Sequence, residues 1–431
     1  MINNKFKLLT LSVALLGLAS CSSGGGTVVT DVDYGTPSND NITVWCPNGD
    51  NDVMKTVIAG YKAANPTYTG DITIAANYGE GEITANLTKD VAAAADVMCI
   101  ADDNIRACVK AGALARLTNA DKTEQVTENG QVAVDAGSQG GYMYGYAYRA
   151  DNSYPLFYDS TFFSADDVLS LDTMLAKAKA SNKKVYFDLG GGWYAPSFFW
   201  ANGCKLWLGD DGSQQSDFNS EAGVKAAEAM MTMYQTYGGS TFIWSSDPAE
   251  IEAGFASGEI GAAILWNDYT SICGAMTTAG KDAKNLKLTK LPTMKINGVD
   301  KQLGAFIGYK YVSVKYIEAD TKSGKTARAM DFAKYVANVD NQKTRATELG
   351  YGPSNKALAA HPDIQALPFI AAVAAQASTG VTAAQGLVVN GDFWTPMADF
   401  TSIIKNSVDG SWGDYTGAKE ALDALVEAFA A

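Results

Sequence analysis

Residues 96–114 read DVMCIADDNIRACVKAGAL and show most clearly the alternation of elements from which the fold can be predicted. Asp96 to Ile100 is a short apolar run typical of a buried strand, and Ile105 to Ala111 predicts a helix that Gly112 ends. Between them lies a polar stretch, Asp102-Asp103-Asn104. In open α/β sheets, ligands bind at the loops that follow the carboxyl ends of the strands. This stretch therefore predicts both the class of fold and one edge of a binding site.

The alternation of strand and helix patterns continues on both sides of this stretch. Short apolar runs typical of strands recur at residues 42–46, 72–76, 185–188, 260–266 and 304–314. Segments with apolar residues at helical spacing separate them. The pattern predicts the α/β class, with mainly parallel sheets flanked by helices. Roughly 390 residues follow the N-terminal region, more than one hydrophobic core usually serves, so we expect two lobes.

The N-terminus has the parts of a secretory signal. Two lysines precede an apolar run, Leu8 to Leu18, and small residues follow it. At about 1.5 Å per residue, this run is too short to cross a hydrocarbon core of about 30 Å. The ending Leu18-Ala19-Ser20-Cys21 resembles the lipobox of bacterial lipoproteins, which implies removal of residues 1–20 and lipidation of Cys21. An ordinary cleaved signal and a buried N-terminal helix are the alternatives.

Residues 21–40 predict a flexible linker. They read CSSGGGTVVTDVDYGTPSND and are rich in Gly, Ser, Asp and Asn. Each buried CH₂ of a lipid contributes about 0.8 kcal/mol, so two acyl chains would anchor the protein stably. We therefore expect the folded part to lie outside the cytoplasm, tethered to the cell membrane through the lipid on Cys21.

The composition restricts the classes of partner and chemistry. The chain has 33 Lys and Arg against 47 Asp and Glu, and removal of the predicted signal takes away two lysines and no acid. This excess of acidic residues argues against nucleic acid or an anionic lipid surface as partner. It suggests a neutral or cationic ligand. His361 is the single histidine, which disfavours a metal site and most acid–base chemistry, so we expect no metal or cofactor. The cysteines beyond Cys21 are odd in number and form no CxxC pair, which disfavours a disulfide framework.

Several short segments along the chain resemble one family of proteins. Their order and spacing are similar to those of the maltose and oligosaccharide group of solute-binding proteins that supply ABC importers. The segments are Ile42-Thr43-Val44-Trp45 with Asn48-Gly49-Asp50, Asp96-Val97-Met98 leading to Ala111-Gly112-Ala113-Leu114, Phe255 with Gly258-Glu259, Leu291-Pro292-Thr293, and Gly391-Asp392-Phe393-Trp394.

The resemblance implies a two-lobed fold of the periplasmic-binding-protein type, with the sugar in the cleft at the hinge. In this family the lobes are discontinuous, which predicts residues 41–150 with 303–362 as the N-terminal lobe and 151–302 with 363–431 as the C-terminal lobe. The implied function is not enzymatic. A monomer captures an oligosaccharide by lobe closure and delivers it to the transmembrane subunits of an ABC permease.

A sugar ring offers a flat C–H face and a belt of hydroxyls, so its site needs aromatic platforms and short polar side chains. By resemblance, Trp193 and Trp394 hold the positions of stacking aromatics, although each could instead be a core residue. Asp103 matches a carboxylate position, with helix capping as its alternative. Asn104 replaces a common basic residue and Gly191 a common acid, which leaves the identity of the sugar open. The predicted ligand-binding set is Asn48, Asp50, Asp103, Asn104, Asp151, Trp193, Tyr194, Trp266, Tyr269 and Trp394.

Two other functions remain open from the sequence. A secreted glycoside hydrolase could work with Asp and Glu pairs and needs no histidine. A binding protein for a cationic small solute would suit the acid-rich loops, although the aromatic positions favour a sugar.

Overall fold

The computed structural model of the protein describes residues 30–78, 80–407 and 409–429. The predicted signal peptide and Cys21 lie outside these residues, and the side chain of Asn48 is likewise not described. Asp31 and the residues after it belong to one folded unit. Within the described ranges, no helix is both long enough and apolar enough to cross a bilayer.

The strands are short and most are buried. In chain order they are β1 Ile42–Pro47, β2 Ile72–Tyr78, β3 Val97–Ala101, β4 Ser138–Gln139, β5 Tyr142–Met143, β6 Tyr146–Asn152, β7 Leu156–Asp159, β8 Lys184–Phe187, β9 Leu206–Leu208, β10 Gln214–Ser216, β11 Phe242–Ile243, β12 Ile260–Ile264, β13 Leu286–Thr289, β14 Thr293–Ile296, β15 Val299–Gln302, β16 Ala305–Val314 and β17 Thr382–Ala384.

Helices separate most of these strands. They are α1 Asn51–Ala64, α2 Glu80–Lys89, α3 Asp102–Lys110, α4 Asn119–Asn129, α5 Gln131–Ala136, α6 Leu171–Ala180, α7 Pro196–Ala201, α8 Glu221–Tyr237, α9 Pro248–Ser257, α10 Tyr269–Thr278, α11 Glu318–Ser323, α12 Lys325–Val336, α13 Val339–Leu349, α14 Lys356–Ala359, α15 Pro362–Gln365, α16 Pro368–Ala377, α17 Gln385–Val388, α18 Trp394–Asn406 and α19 Ala418–Phe429.

The first sheet has the strand order β17-β16-β3-β1-β2, and β6 also pairs with β16. β1 runs parallel to β2 and β3, as expected for strands joined by crossover helices. β16 runs antiparallel to both β3 and β6. Helices α1, α2 and α12 pack against this sheet, and together they bury one core that includes Val44, Met98 and Phe332.

The second sheet has the strand order β11-β8-β12-β7-β13. β11, β8 and β12 are parallel, whereas β7 runs antiparallel to both β12 and β13. Each sheet is thus more mixed than the predicted parallel arrangement. The reason is visible at β7, which follows β6 of the first sheet directly, with no crossover helix that would return the chain in the parallel direction. The predicted α/β class is confirmed.

Each sheet has its own hydrophobic core, and the chain passes between them. It leaves the first sheet after β6, enters the second at β7, and returns from β13 to the first sheet at β16. The second sheet packs on a core that includes Phe187 and Ile264 and extends to Met397 of α18. Connections of this kind leave the carboxyl ends of β3, β6, β8 and β12 available to form a shared site.

The residues just before β1 form a strap on the surface of the first sheet's helices. Asp31 accepts a hydrogen bond from the backbone N–H of Asn119 (2.8 Å), and the Tyr34 hydroxyl donates to the carbonyl of Arg116 (2.9 Å). Farther along, Arg328 Nε donates to the carbonyl of Ser38 (2.7 Å). Gly324 has a φ of +82°, and a Cβ there would lie 2.4 Å from the Thr36 carbonyl oxygen, so glycine permits this approach. These contacts hold residues 31–38, which belong to the second half of the predicted linker, against the folded unit.

Candidate functional site

A cavity of about 360 Å³ lies where the carboxyl ends of strands from both sheets meet. Its lining residues lie at the carboxyl ends of β3 and β6 or in the loops and helices that follow β3, β8, β12 and β17. Its lining is Ala101, Asp103, Asn104, Asn152, Gly191, Trp193, Trp266, Gln385 and Trp394. The structure thus brings together Asp103, Asn104, Trp193, Trp266 and Trp394 of the residues predicted from sequence.

Trp193 and Trp394 provide two of the aromatic walls. Trp193 lies in the loop between β8 and α7 and meets Tyr154 edge-on, with ring centroids 4.8 Å apart. Trp394 opens α18 and packs edge-on against Phe306 at 5.9 Å. Gly192 has a φ of +78°, and a Cβ there would lie 3.0 Å from the Trp394 carbonyl oxygen. The glycine therefore lets the loop with Trp193 approach the start of α18.

Trp266, in the loop between β12 and α10, is the third aromatic wall. Lys310 Nζ lies over its ring at 4.4 Å from the centroid, and Arg149 Cζ lies at 5.4 Å. Both cations are buried, at 2% and 1% exposure. A buried cation over an indole contributes about 2 kcal/mol or more, so this arrangement holds the ring in place.

Trp266 also borders a second, larger cavity of about 970 Å³. The lining of this cavity combines aromatic, hydroxyl, amide and acidic side chains: Pro47, Gly49, Tyr78, Tyr194, Ser246, Pro248, Glu252, Leu265, Trp266, Asn267, Asp268, Thr270, Ser271, Leu349 and Tyr351. Burial, helped by the charge of Glu252, raises the pKa of Asp268 to about 6. The two cavities share Trp266 and together include six of the predicted residues.

The polar part of the smaller cavity includes two residues that the sequence analysis missed, Asn152 and Gln385. Gln385 Oε1 accepts hydrogen bonds from Trp193 Nε1 (2.8 Å) and from Asn152 Nδ2 (3.3 Å). Asn104 Nδ2 donates to Asp103 Oδ1 at 3.2 Å. Gln385 follows β17 in the segment Thr-Ala-Ala-Gln-Gly, which has no local signal for binding. Its position depends on the pairing of β17 with β16.

Two predicted carboxylates lie in buried ion pairs and do not line either cavity. Asp50 is 0% exposed and accepts from Arg345 Nε at 3.2 Å. Asp151 accepts from two nitrogens of Arg149, at 3.0 and 3.1 Å, and from the backbone N–H of Gly352. Burial behind the arginines, at 0% and 2% exposure, keeps both carboxylates from contact with a ligand in either cavity.

Of the other predicted residues, Tyr194 lines the larger cavity and Tyr269 lines neither cavity. Tyr194 is buried, with its ring 4.8 Å from that of Tyr154, and it reaches the larger cavity. Tyr269 opens α10 and packs against the core of the second sheet. Asn48 follows β1, but its side chain lies outside the described part of the structure.

Asp102 lies directly behind the smaller cavity and is 1% exposed. Its carboxylate accepts from the backbone N–H groups of Asp103 (3.0 Å) and Tyr309 (2.9 Å). Burial, followed by the charge of Asp103, raises the pKa of Asp102 to about 7 despite these hydrogen bonds. The residue therefore changes charge near neutral pH.

The arrangement suits a polyhydroxylated ring. Flat indoles offer stacking surfaces, while the amides and Asp103 can accept and donate to hydroxyls. Among the described residues that line the smaller cavity, Asp103 is the only carboxylate, whereas glycoside hydrolysis uses two that flank the bond. No cluster of three His, Cys, Asp or Glu in the described ranges is arranged to hold a metal ion.

Comparisons with known proteins agree with this fold. The family model for bacterial extracellular solute-binding proteins matches residues 56–372. A structure solved with acarbose is 26% identical, with a TM-score of 0.78 over 92% of this chain and 99% of that one. No curated protein sequence matches the chain.

Two solved structures at lower identity show the same fold. The maltodextrin-binding protein MalE1 from L. casei BL23 is 20% identical, with a TM-score of 0.72 over 92% of this chain and all of that one. The Thermus thermophilus maltotriose-binding protein, bound with maltotriose, is 18% identical, with a TM-score of 0.72 over 90% and 99% of the two chains.

Proposed function

The chain belongs to the bacterial extracellular solute-binding proteins, and we propose that it captures an oligosaccharide of the maltodextrin type for import through an ABC permease. The observation that supports this most is the ring of three indoles, Trp193, Trp266 and Trp394, around a cavity with amide and carboxylate groups. The similarity to structures solved with acarbose and maltotriose supports the same class of ligand.

The mechanism that we propose is closure of two lobes on the sugar. We assign residues 41–150 and 303–362 to one lobe and residues 151–302 and 363–431 to the other. Asp103 and Trp193 line the same cavity from different sheets, so a ligand that contacts both favours the closed arrangement. The permease then recognises the closed form, and the protein acts as a monomer without performing a reaction.

We further propose that the protein works outside the cytoplasm and is anchored to the cell membrane. The family name implies an extracellular location. Lipidation of Cys21 would supply the anchor. Mass spectrometry of the protein purified from bacterial membranes should find a diacylated N-terminal Cys21, and a Cys21→Ala variant should be released into the soluble fraction. A wild-type protein that fractionates as soluble would contradict the anchor.

Calorimetry with maltotriose tests the sugar assignment. We expect wild-type protein to bind, Trp193→Ala to weaken binding at least tenfold, and Trp207→Ala to bind as the wild type does, because Trp207 is 42% exposed and lines neither cavity. Absence of binding at millimolar maltotriose and maltotetraose would refute the assignment.

The same sample distinguishes a receptor from a glycoside hydrolase. Incubation with starch and maltotetraose should release no new reducing ends, since a single carboxylate lies among the described residues of the smaller cavity. Turnover that disappears in Asp103→Asn would contradict the proposal of a receptor.

A cationic solute is the second candidate, and one observation favours it. Glu252 and Asp268 line the larger cavity, and the described residues of that lining include no Lys, Arg or His. Spermidine in the same calorimetric experiment tests this candidate. Micromolar binding of spermidine without binding of maltotriose would favour it over the sugar.

A further inference from the structure

We propose that Gln385 positions the indole of Trp193 in the smaller cavity, and that Asp102 holds the Gln385 amide in the required orientation. The inference rests on the proposed function, in which Trp193 stacks on a sugar ring. It makes Gln385 and Asp102 positioning residues that control the affinity for sugar through another side chain.

The first constraint on the Gln385 amide comes from Trp193. Gln385 is 3% exposed, and its Oε1 lies 2.8 Å from Trp193 Nε1. An indole N–H can only donate, so the amide oxygen must face it. Asn152 Nδ2, at 3.3 Å, donates to the same oxygen. The hydrogen bond between Gln385 and Trp193 joins α17, which follows a strand of the first sheet, to a loop of the second sheet.

The second constraint comes from Asp102. Gln385 Nε2 donates to Asp102 Oδ1 at 3.4 Å, and an ionised carboxylate can only accept. Trp193 and Asp102 therefore require the same orientation of the Gln385 amide. The fold makes room for this contact, because a Cβ at Gly386 would lie 2.6 Å from Asp102 Cβ. Glycine at this position allows α17 to come close to the start of α3.

Protonation of Asp102 removes the second constraint, because a neutral carboxyl group can donate to the amide oxygen. The titratable groups around Asp102 are Asp103 on α3 and Tyr309 and Tyr311 on β16; burial raises the pKa of both tyrosines. The neighbouring side chains on α17 and β6 are the amides of Gln385 and Asn152. Ionisation of Asp102, whose pKa is about 7, therefore controls the network near neutral pH.

A sugar-free experiment tests the network directly. The full chain is labelled with [¹⁵N]tryptophan, and the indole N–H resonance of Trp193 is identified by its loss in Trp193→Phe. We expect Gln385→Met to shift this resonance in the direction of a broken hydrogen bond. In wild type the resonance should move with pH with a midpoint near 7, and in Asp102→Asn it should not. A Trp193 resonance that Gln385→Met leaves unchanged would overturn the proposal.

A double-mutant cycle with maltotriose tests the effect on binding. Trp193→Phe keeps an aromatic face but lacks the N–H group. We expect Gln385→Met to raise Kd about tenfold in wild type and less than about twofold in Trp193→Phe. Equal effects in both backgrounds would overturn the proposal, since Gln385 would then contact the sugar itself. Thermal unfolding of each variant checks the fold, and Gln385→Asn replaces Gln385→Met if the latter does not fold.

The two measurements separate the failure of the inference from that of the proposed function. A wild-type protein that binds no maltotriose refutes the sugar assignment, yet the indole resonance still decides whether Gln385 positions Trp193. Additive effects in a protein that does bind maltotriose refute the inference alone.

Discussion

Replacing Asp50 by Asn and Asp103 by Asn makes the same chemical change at two positions with opposite surroundings. Asp50 is fully buried and paired with Arg345, whose side chain is 1% exposed. Asp103 lines the smaller cavity. We expect the first substitution to change stability and the second to change affinity for sugar.

The size of the stability effect follows from the buried ion pair. Removing one member of such a pair usually costs about 3–5 kcal/mol, because the other charge stays buried. In the variant, the carbonyls of Val336 and Asn341 still accept from Arg345 Nη1. We therefore expect Asp50→Asn to lower the free energy of unfolding by about 3 kcal/mol, the lower end of this range. With an unfolding entropy of about 2.1 cal/mol/K per residue, roughly 400 residues give a decrease in Tm of about 4 °C.

The affinity effect is expected at Asp103 alone. A hydrogen bond to a charged group contributes about 1.5–3 kcal/mol, so Asp103→Asn should raise the Kd for maltotriose at least about tenfold. Its Tm should stay within about 2 °C of wild type. Asp50→Asn should keep Kd within about threefold. Calorimetry and scanning calorimetry on the same samples measure both. The reverse result, with weaker binding and unchanged Tm for Asp50→Asn, would show that Asp50 contacts the sugar and contributes little to stability.

Three further predictions concern the same site. Trp394→Ala should raise the Kd for maltotriose at least about tenfold, measured by calorimetry beside the Trp207→Ala control. Folding raises the pKa of Asp102 from about 3.9 to about 7, so wild type loses stability as pH rises through this window. Asp102→Asn, whose side chain cannot ionise, should therefore lose less stability than wild type between about pH 4 and pH 8, as measured by chemical unfolding. Gly192→Ala should lower the free energy of unfolding by about 1–3 kcal/mol and weaken sugar binding, because the φ of Gly192 is +78°. An unchanged Tm would contradict this prediction.

The parts of the fold that local periodicity controls could be predicted from the sequence. The strand and helix expected in residues 96–114 occur as β3 and α3, although the helix begins at Asp102 and not at Ile105. Asp102 thus belongs to a helix terminus, where backbone N–H groups approach its carboxylate. Trp193 and Trp394 could be selected from the family resemblance, because each follows a short, recognisable segment.

The remaining features of the site depend on contacts between residues far apart in the chain. Asn152 and Gln385 are separated by 233 positions, and Asp50 and Arg345 by 295. No local pattern indicates that Arg345 neutralises Asp50 or that Gln385 reaches Trp193. Gln385 meets Asn152 because β17 and β6 both pair with β16, whereas Asp50, at the start of α1, meets Arg345 of α13. Both arrangements become known only with the three-dimensional structure.

If Cys21 is lipidated as proposed, the docked strap limits the distance between the folded unit and the membrane. With Asp31 held by Asn119, about ten residues separate Cys21 from the folded unit, and they can reach at most about 35 Å, in place of roughly 70 Å for all of residues 21–40. The effective concentration of a tethered partner scales roughly as the −3/2 power of leash length, so halving it gives about a threefold increase. Loaded receptor and permease would then meet more often without any gain in intrinsic affinity.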